Sequence, residues 1–191
     1  TAKMLRELDE IPVAYGGTVP DAGAWASVRA SVYEQPFADA TFDCVIISEV
    51  LEHLGEDEKA LAEISRVLKR GGTLAASVPR RGPELLCWAL SREYRTFPGG
   101  HIRVYRASEL RAKLENSGYR IFKHHFAHAL HSPYWWLKCW VGLDREDDPR
   151  VKLYHRLLVW DMMQQPVLTR VLESALQPFI GKSVVFYGIK G

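Results

Sequence analysis

Polar side chains capable of acid–base and charge chemistry follow an unbroken apolar segment at residues 44–47. Ser48 and Glu49 come directly after that segment, and His53 lies a few residues further along. A carboxylate stabilises a positive charge placed beside it, and an imidazole can take a proton from a hydroxyl nucleophile. A histidine in the first turn of a helix also commonly hydrogen-bonds the preceding loop. His53 therefore has a structural interpretation as well as a catalytic one.

A second group of candidate side chains is the histidine cluster near the middle of the chain. Its members are His124, His125, His128 and His131, and their spacing can place two imidazoles on one face of a turn, as metal ligation requires. No nearby cysteine or acidic residue completes a ligand set. We expect pocket-lining or surface histidines here and no bound metal.

The elements that position Ser48 and Glu49 form a strand–helix–strand unit over residues 41–79. The β-branched run at residues 44–47 is typical of a parallel strand covered on both faces. Apolar residues recur at helical spacing over residues 57–69, Gly71 and Gly72 supply a left-handed stop, and a second strand starts at residue 73. A right-handed crossover makes the two strands parallel. Ligands of such sheets bind beyond the carboxyl ends of the strands, so the first turn is the predicted site.

Composition favours one domain over residues 1–191. The chain is 47% hydrophobic and 25% charged, which is enough apolar material for a core. The formal net charge is +2, and basic residues alternate with acidic ones, so no nucleic-acid partner is indicated. Apolar stretches fall well short of the about 20 residues of a membrane-spanning helix. Cys44, Cys87 and Cys139 lie far apart in apolar or aromatic surroundings, which predicts buried, reduced thiols in a cytoplasmic protein.

Three segments together resemble the class I S-adenosylmethionine-dependent methyltransferases of small molecules, the kind related to quinone and lipid methyltransferases. The segments are PFADATFDCVIISEVLEHL, EISRVLKRGGTLAASVP and GGHIRVYRASELRAKLENSGYRI, and the resemblance covers about half of the chain, residues 31–125. It implies an enzyme of the EC 2.1.1 type that uses S-adenosylmethionine and a small, hydrophobic acceptor. It also implies a Rossmann-like α/β sheet that is mostly parallel, with an antiparallel last strand.

The resemblance assigns cofactor-binding roles to residues at two predicted strand ends. Ser48, Glu49 and Val50 are expected to face the methionine part of the cofactor or the incoming substrate. Ser31, at the end of a strand predicted over residues 25–32, takes the place of an acid that usually hydrogen-bonds the adenine amino group. A serine does so without charge assistance. The alternative is that Ser31 is an ordinary strand-end residue. The backbone amide of Val32 is expected to contact the adenine ring.

Two histidines are the candidate catalytic bases. His53 lies one turn beyond the predicted site. His101 matches the histidine of the family's G-H-x-R-x-Y pattern, at a position that in several relatives lies close to the transferred methyl group. The alternative for His101 is that it orders its loop by bonding backbone carbonyls.

A helical cap, residues 126–181, is predicted between the last two strands, because about fifty residues separate positions that a hairpin usually joins. Its aromatic segment at residues 131–142 contains the candidate substrate-binding residues Tyr134, Trp135 and Trp136. The same segment also fits a lid, an oligomer contact, core packing or an interfacial helix whose basic residues meet lipid head groups. Peripheral membrane contact and a homo-oligomer therefore stay open.

The resemblance begins part-way through the family's fold. Residues 1–8 match the helix after its second strand, and none of the 14 glycines lies in a G-x-G-x-x-G loop between a strand and a helix. We therefore expect the natural polypeptide to continue upstream of Thr1. Two alternatives remain: a protein with this fold but no catalysis, acting as a binding partner or scaffold, or a core that binds another nucleotide as dehydrogenases do.

Overall fold

The computed structural model describes residues 28–191, so the predictions for residues 1–8 and 25–27 lie outside the described part. The described residues form an α/β fold. In chain order its elements are β1 (Phe42–Ser48), α1 (Asp57–Val67), β2 (Leu68–Pro79), α2 (Arg81–Leu90), α3 (Arg92–Thr96), α4 (Ala107–Asn116), β3 (Tyr119–Ala127), α5 (His131–Val141), α6 (Pro149–Gln164), α7 (Val167–Ile180) and β4 (Ser183–Lys190). A short 3₁₀ turn, Leu51–His53, links β1 to α1.

The four strands form one mixed sheet in the order β1-β2-β4-β3. β1 and β2 are parallel, as predicted, and β4 lies between β2 and β3 and runs antiparallel to both. Three strands of the described sheet therefore share one direction and the last strand opposes them. This confirms the predicted topology for the described residues.

The hydrophobic core lies on the face of the sheet that α1 and α4 cover. The apolar stripe predicted for α1 is buried there, because Leu61, Ile64 and Val67 point at the sheet. From α4, Leu110 and Leu114 reach the same core, as the sequence predicts. Packing on this face fixes the carboxyl ends of β1 and β2 side by side.

The boundary between α1 and β2 differs from the prediction. The helix was expected to continue to residue 69 and to stop at the glycines that follow, but α1 ends at Val67 and β2 begins at Leu68. Residues 69–72 lie at an irregularity in the pairing of β1 with β2. Gly71, with φ 75°, takes the left-handed conformation inside this irregular strand rather than at a helix end.

The expectation that β1 is covered on both faces is wrong for the described part of the chain. Ile47 is buried, but Ile46 is 73% exposed and Cys44 is exposed as well. β1 is an edge strand of the described sheet, and a continuous apolar run does not reveal which face receives a covering helix. The predicted burial of the thiols therefore fails for Cys44 and holds for Cys87 and Cys139.

Residues 28–32 do not form the predicted strand. Ser31 pairs with Glu34 in an isolated bridge, and the Glu34 N–H donates to the Ser31 carbonyl at 3.3 Å. The Ser31 hydroxyl also accepts from the Tyr33 N–H at 3.2 Å. Local hydrogen bonds of this kind compete with strand pairing and favour a turn.

Helices α5, α6 and α7 form the predicted insertion between β3 and β4. β3 continues to Ala127, so the cap's helices occupy a shorter range than residues 126–181, and the cap as a separate unit stays a prediction. Within residues 28–191, no helix combines the length and the apolar character needed to cross a bilayer.

Candidate active site

The chain turns sharply at Glu49, at the carboxyl end of β1. Glu49 has φ 54°, a left-handed conformation that is uncommon for a residue with a side chain. Its backbone N–H donates to the Ser77 carbonyl oxygen at 3.1 Å, and Ser77 Oγ donates to Glu49 Oε1 at 2.9 Å. Ser48 Oγ lies 2.9 Å from the same Ser77 hydroxyl. Contacts with β2 thus hold the Glu49 carboxylate at the end of the sheet.

His101 is held by a buried carboxylate on α2. Its Nδ1 lies 2.5 Å from Oε1 of Glu84, a residue that is 2% exposed. Oε2 of Glu84 accepts from the Tyr94 hydroxyl at 3.3 Å and lies 3.9 Å from Lys182 Nζ. Burial alone raises the pKa of Glu84, but the His101 hydrogen bond and the charges of His101 and Lys182 outweigh it and lower that pKa. An ionised Glu84 therefore orients the imidazole.

Glu52, in the 3₁₀ turn, is a fully buried acid next to both candidate histidines. It has 0% exposure, and its two carboxyl oxygens have no hydrogen-bond partner within the described residues. Oε1 lies 3.8 Å from His53 Nε2 and 3.9 Å from His101 Nε2. Burial, with the nearby negative charge of Glu49, raises the pKa of Glu52 to about 7. The sequence suggests either a solvated acid or a helix-start acid at this position, and the burial of Glu52 excludes the solvated one.

His53 makes the loop contact that its structural interpretation predicts. Its Nδ1 lies 3.1 Å from the Gly100 carbonyl oxygen, which can only accept, so Nδ1 carries the proton of this hydrogen bond. In the neutral ring Nε2 is then unprotonated. The rings of His53 and His101 lie 4.9 Å apart between centroids, which brings the two predicted bases together.

A cavity of about 730 Å³ opens beside these groups, between the strand ends and helix α5. Its volume lies within the range of small-molecule sites. The lining combines charged, imidazole and aromatic side chains: Glu49, His53, Tyr94, Phe97, His101, His128, His131, Trp135, Lys138 and Lys182 among others.

The structure brings four of the predicted site residues into this lining: Glu49, His53, His101 and Trp135. The other predicted residues, Ser31, Val32, Ser48, Val50, Tyr134 and Trp136, are not among the residues that line it. Val50 packs against the core, and Ser31 lies in the turn described above. Their cofactor and substrate roles stay predictions.

Two of the predicted aromatic residues on α5 contact other helices. Trp136 Nε1 donates to the Pro83 carbonyl at 3.1 Å and so ties α5 to α2. The Tyr134 ring lies 6.0 Å from that of Tyr154 on α6. Both contacts pack one helix against another. Core packing is one of the interpretations that the sequence leaves open for this aromatic segment.

Sequence reasoning missed three charged residues of the site: Glu52, Glu84 and Lys182. Glu84 is the only acid of the largely apolar helix α2, and Glu52 lies three residues after Glu49, so both carried a signal. Lys182 was assigned only to a tight turn. Nothing in its local sequence indicates that its Nζ approaches Glu84 and lies 5.5 Å from the centre of the Trp135 ring.

The histidine cluster does not assemble as a group. His124 and His125 are successive residues of β3 and so point to opposite faces, where they stack on Phe186 and Tyr187. His128 and His131 do come together, with ring centroids 5.3 Å apart, and both line the cavity. The prediction of pocket-lining or surface histidines fits these positions.

Part of the sequence is similar to a methyltransferase family, and the fold is similar to that of methyltransferases of known structure. Residues 16–76 match the family model described as a methyltransferase domain. The chain is 51% identical over 47 residues to the ubiquinone/menaquinone biosynthesis C-methyltransferase UbiE of Haemophilus ducreyi, covering 25% of this chain and 18% of that protein.

A longer match, 33% identical over 93 residues, is to an S-adenosylmethionine-dependent methyltransferase of Mycolicibacterium smegmatis. It covers 49% of this chain and 34% of that protein. The matched segments thus span about a third or less of the curated relatives' own length.

Solved structures show the same fold. A Bacillus halodurans protein described as a methyltransferase superposes with a TM-score of 0.51 at 17% identity, covering 86% of this chain and 76% of that one. A Thermotoga maritima protein described as a S-adenosylmethionine-dependent methyltransferase gives 0.50 at 18% identity, covering 86% and 63%. At these identities the likeness speaks for the fold alone.

Proposed function

We propose that the protein transfers a methyl group from S-adenosylmethionine to a small, hydrophobic acceptor bound in the cavity beside β1 and β2. The observation that carries this proposal is the position of the cavity, at the carboxyl ends of parallel strands in a methyltransferase domain. Its mixed lining suits an acceptor with an apolar body and one polar reacting group.

The cofactor side of the proposed site consists of Ser48, Glu49 and Val50 at the end of β1, with Ser31 and Val32 contacting the adenine. The Glu49 carboxylate, fixed by Ser77, stabilises the positive sulfonium. Methyl transfer is an in-line displacement at the methyl carbon. Because the sulfonium already activates the methyl group, the protein mainly contributes proximity and orientation.

The acceptor side of the proposed site is the wall formed by His53, His101 and Trp135. Tyr134 and Trp136 belong to the same aromatic segment and shape it from behind. A general base is needed only when the acceptor is a hydroxyl or an activated carbon, and the two imidazoles are then the proposed catalytic pair. UbiE is named as a C-methyltransferase of ubiquinone and menaquinone biosynthesis, so a quinone precursor is the first acceptor to test.

The test is methyl transfer from labelled S-adenosylmethionine into a metabolite extract, followed by mass spectrometry of the labelled products. We expect a labelled product with the wild-type protein and a loss of rate of about 100-fold or more in His101→Asn, as for removal of a general acid–base group. His124→Asn is the matched control, because His124 stacks on Phe186 outside the cavity lining. The absence of any labelled product would contradict the proposed methyl transfer, and equal rates in both variants would contradict the catalytic role of His101.

The cap carries an exposed apolar surface at which the proposed enzyme could bind a further partner. Helices α6 and α7 expose large apolar side chains, including Leu153, Trp160, Met163, Val167, Leu168, Val171 and Phe179. Such a surface is suited to a second copy of the chain or to a lipid surface. Both partners stay predictions, and sedimentation together with vesicle flotation separates them.

A further inference from the structure

Three potential metal-ligand atoms converge beside the cavity: a carboxyl oxygen of Glu52 and one ring nitrogen each of His53 and His101. All three atoms lie within 4.8 Å of one another. The two Nε2 atoms lie 3.8 Å and 3.9 Å from Glu52 Oε1. In tetrahedral zinc sites, bond lengths near 2.1 Å place neighbouring ligand atoms about 3.4 Å apart. A closure of about half an ångström brings Glu52 Oε1 to that spacing from each of the two Nε2 atoms.

Both imidazoles are already oriented as metal ligands are. Metal-binding histidines commonly donate one ring N–H to a carboxylate or a backbone carbonyl, which leaves the other nitrogen for the metal. His101 Nδ1 contacts the buried carboxylate of Glu84, and His53 Nδ1 contacts the Gly100 carbonyl. In each ring the other nitrogen, Nε2, is the one that faces Glu52.

Glu52 supplies an independent sign that a ligand is missing from this arrangement. The residue has 0% exposure, and neither carboxyl oxygen has a hydrogen-bond partner among the described residues. A buried polar group without a partner is costly and rare in native proteins. A cation between Glu52 and the two imidazoles removes that cost and also neutralises the nearby charge of Glu49.

We propose that Glu52, His53 and His101 bind a divalent transition-metal cation of the zinc or manganese type. One carboxylate and two imidazoles form a ligand set suited to such ions, and His53 and His101 line the cavity, so an open coordination position faces the acceptor site. With the cation bound, the imidazoles act as ligands, and the cation lowers the pKa of an acceptor hydroxyl that binds to it. This proposal departs from the sequence-based expectation of no metal, and cation binding itself does not depend on methyl transfer.

The test is calorimetric titration of the metal-stripped full-length protein with Zn²⁺, alongside visible absorption of the Co²⁺-substituted protein. We expect one Zn²⁺ per chain in the wild type and a loss of affinity well beyond tenfold in Glu52→Gln, which keeps the shape and removes the charge. Glu84→Gln leaves the three ligand residues in place, alters the group that orients His101, and should weaken binding about 10-fold to 100-fold. His128→Asn is the matched control, because it removes another cavity-lining imidazole outside the ligand set.

The titrations distinguish a specific cation site from the absence of one. Binding that Glu52→Gln abolishes and His128→Asn preserves supports the site, and circular dichroism checks that each variant is folded. If Glu52→Gln does not fold, His53→Asn takes its place, because its side chain is 35% exposed. No Zn²⁺ binding in the micromolar range, or equal binding by all variants, overturns the inference. A protein that binds S-adenosylhomocysteine but no Zn²⁺ refutes the cation site and leaves the proposed function standing.

Discussion

At the scale of single residues, the site depends on the buried charge of Glu84, which holds His101. Glu84 contacts His101, Tyr94 and Lys182, so its carboxylate oxygens face three potential donors. Charge-assisted hydrogen bonds of this kind are stronger and more directional than neutral ones. The orientation of His101, on which both the acceptor wall and the proposed cation site depend, is therefore set from α2.

Replacing Glu84 tests this arrangement through stability. In Glu84→Gln the amide presents an N–H₂ group to a pocket of donors, so at least one buried donor loses its acceptor. We expect the free energy of unfolding to fall by about 1–3 kcal/mol, measured by chemical denaturation. Glu93→Gln on α3 is the control, because Glu93 is exposed and should change stability by less than about 0.5 kcal/mol. Equal effects of the two substitutions would contradict the role given to Glu84.

Part of the site was predictable from sequence, because some of its residues lie in motifs that can be recognised locally. Glu49 and His53 follow an apolar strand, and His101 lies in a recognisable pattern. Glu84 and Lys182 were missed because their roles arise from contacts with other segments, with His101 for Glu84 and with Glu84 for Lys182, and the local sequence does not show which group each residue contacts. Glu52 was misjudged because a polar residue in a first helical turn is usually solvated, whereas here the 3₁₀ turn points it inward.

At the scale of elements, the position of α1 depends on the buried carboxylate of Asp57. Asp57 accepts hydrogen bonds from the Tyr105 hydroxyl and from Lys113 on α4, and it pairs with Arg103 Nη1 at 2.7 Å. Burial alone raises the pKa of Asp57, but the hydrogen bonds from Tyr105, Arg103 and Lys113 outweigh it and lower that pKa. One charge therefore connects the start of α1 with α4 and with the segment that follows His101.

This linkage predicts how stability depends on pH. Because the folded-state pKa of Asp57 lies below the ordinary value of about 3.9, the ionised group stabilises the fold above that pH. The contribution is lost as pH falls through the folded-state pKa. We expect Asp57→Asn to cost about 3 kcal/mol at neutral pH, and the difference from the wild type to shrink in acid.

The measurement is chemical denaturation of both proteins at a series of acidic and neutral pH values. Asp43→Asn is the matched control, because Asp43 pairs with Lys69 at 2.7 Å but its side chain is 85% exposed. An exposed pair of this kind contributes less than about 1 kcal/mol. A difference between wild type and Asp57→Asn that stays constant into strong acid would contradict the assignment.

At the scale of the whole molecule, the sequence predicted the order of elements better than their limits. The parallel β1–β2 pair and α4 follow from periodicity and spacing, the helical insertion between β3 and β4 follows from the family resemblance, and all three are present. The start of β2 was misplaced because a glycine pair commonly ends a helix, but Gly71 here lies within an irregular strand. The exposed face of β1 could not be predicted, because it depends on which elements pack against the sheet.

Central to the account is the proposal that this chain belongs to a protein that binds S-adenosylmethionine and transfers its methyl group. Isothermal titration of the full-length protein with S-adenosylhomocysteine, the demethylated product, tests the claim most directly, because it needs no knowledge of the acceptor. We predict saturable binding of one ligand per chain at concentrations below millimolar. An absence of binding at millimolar ligand would contradict the account.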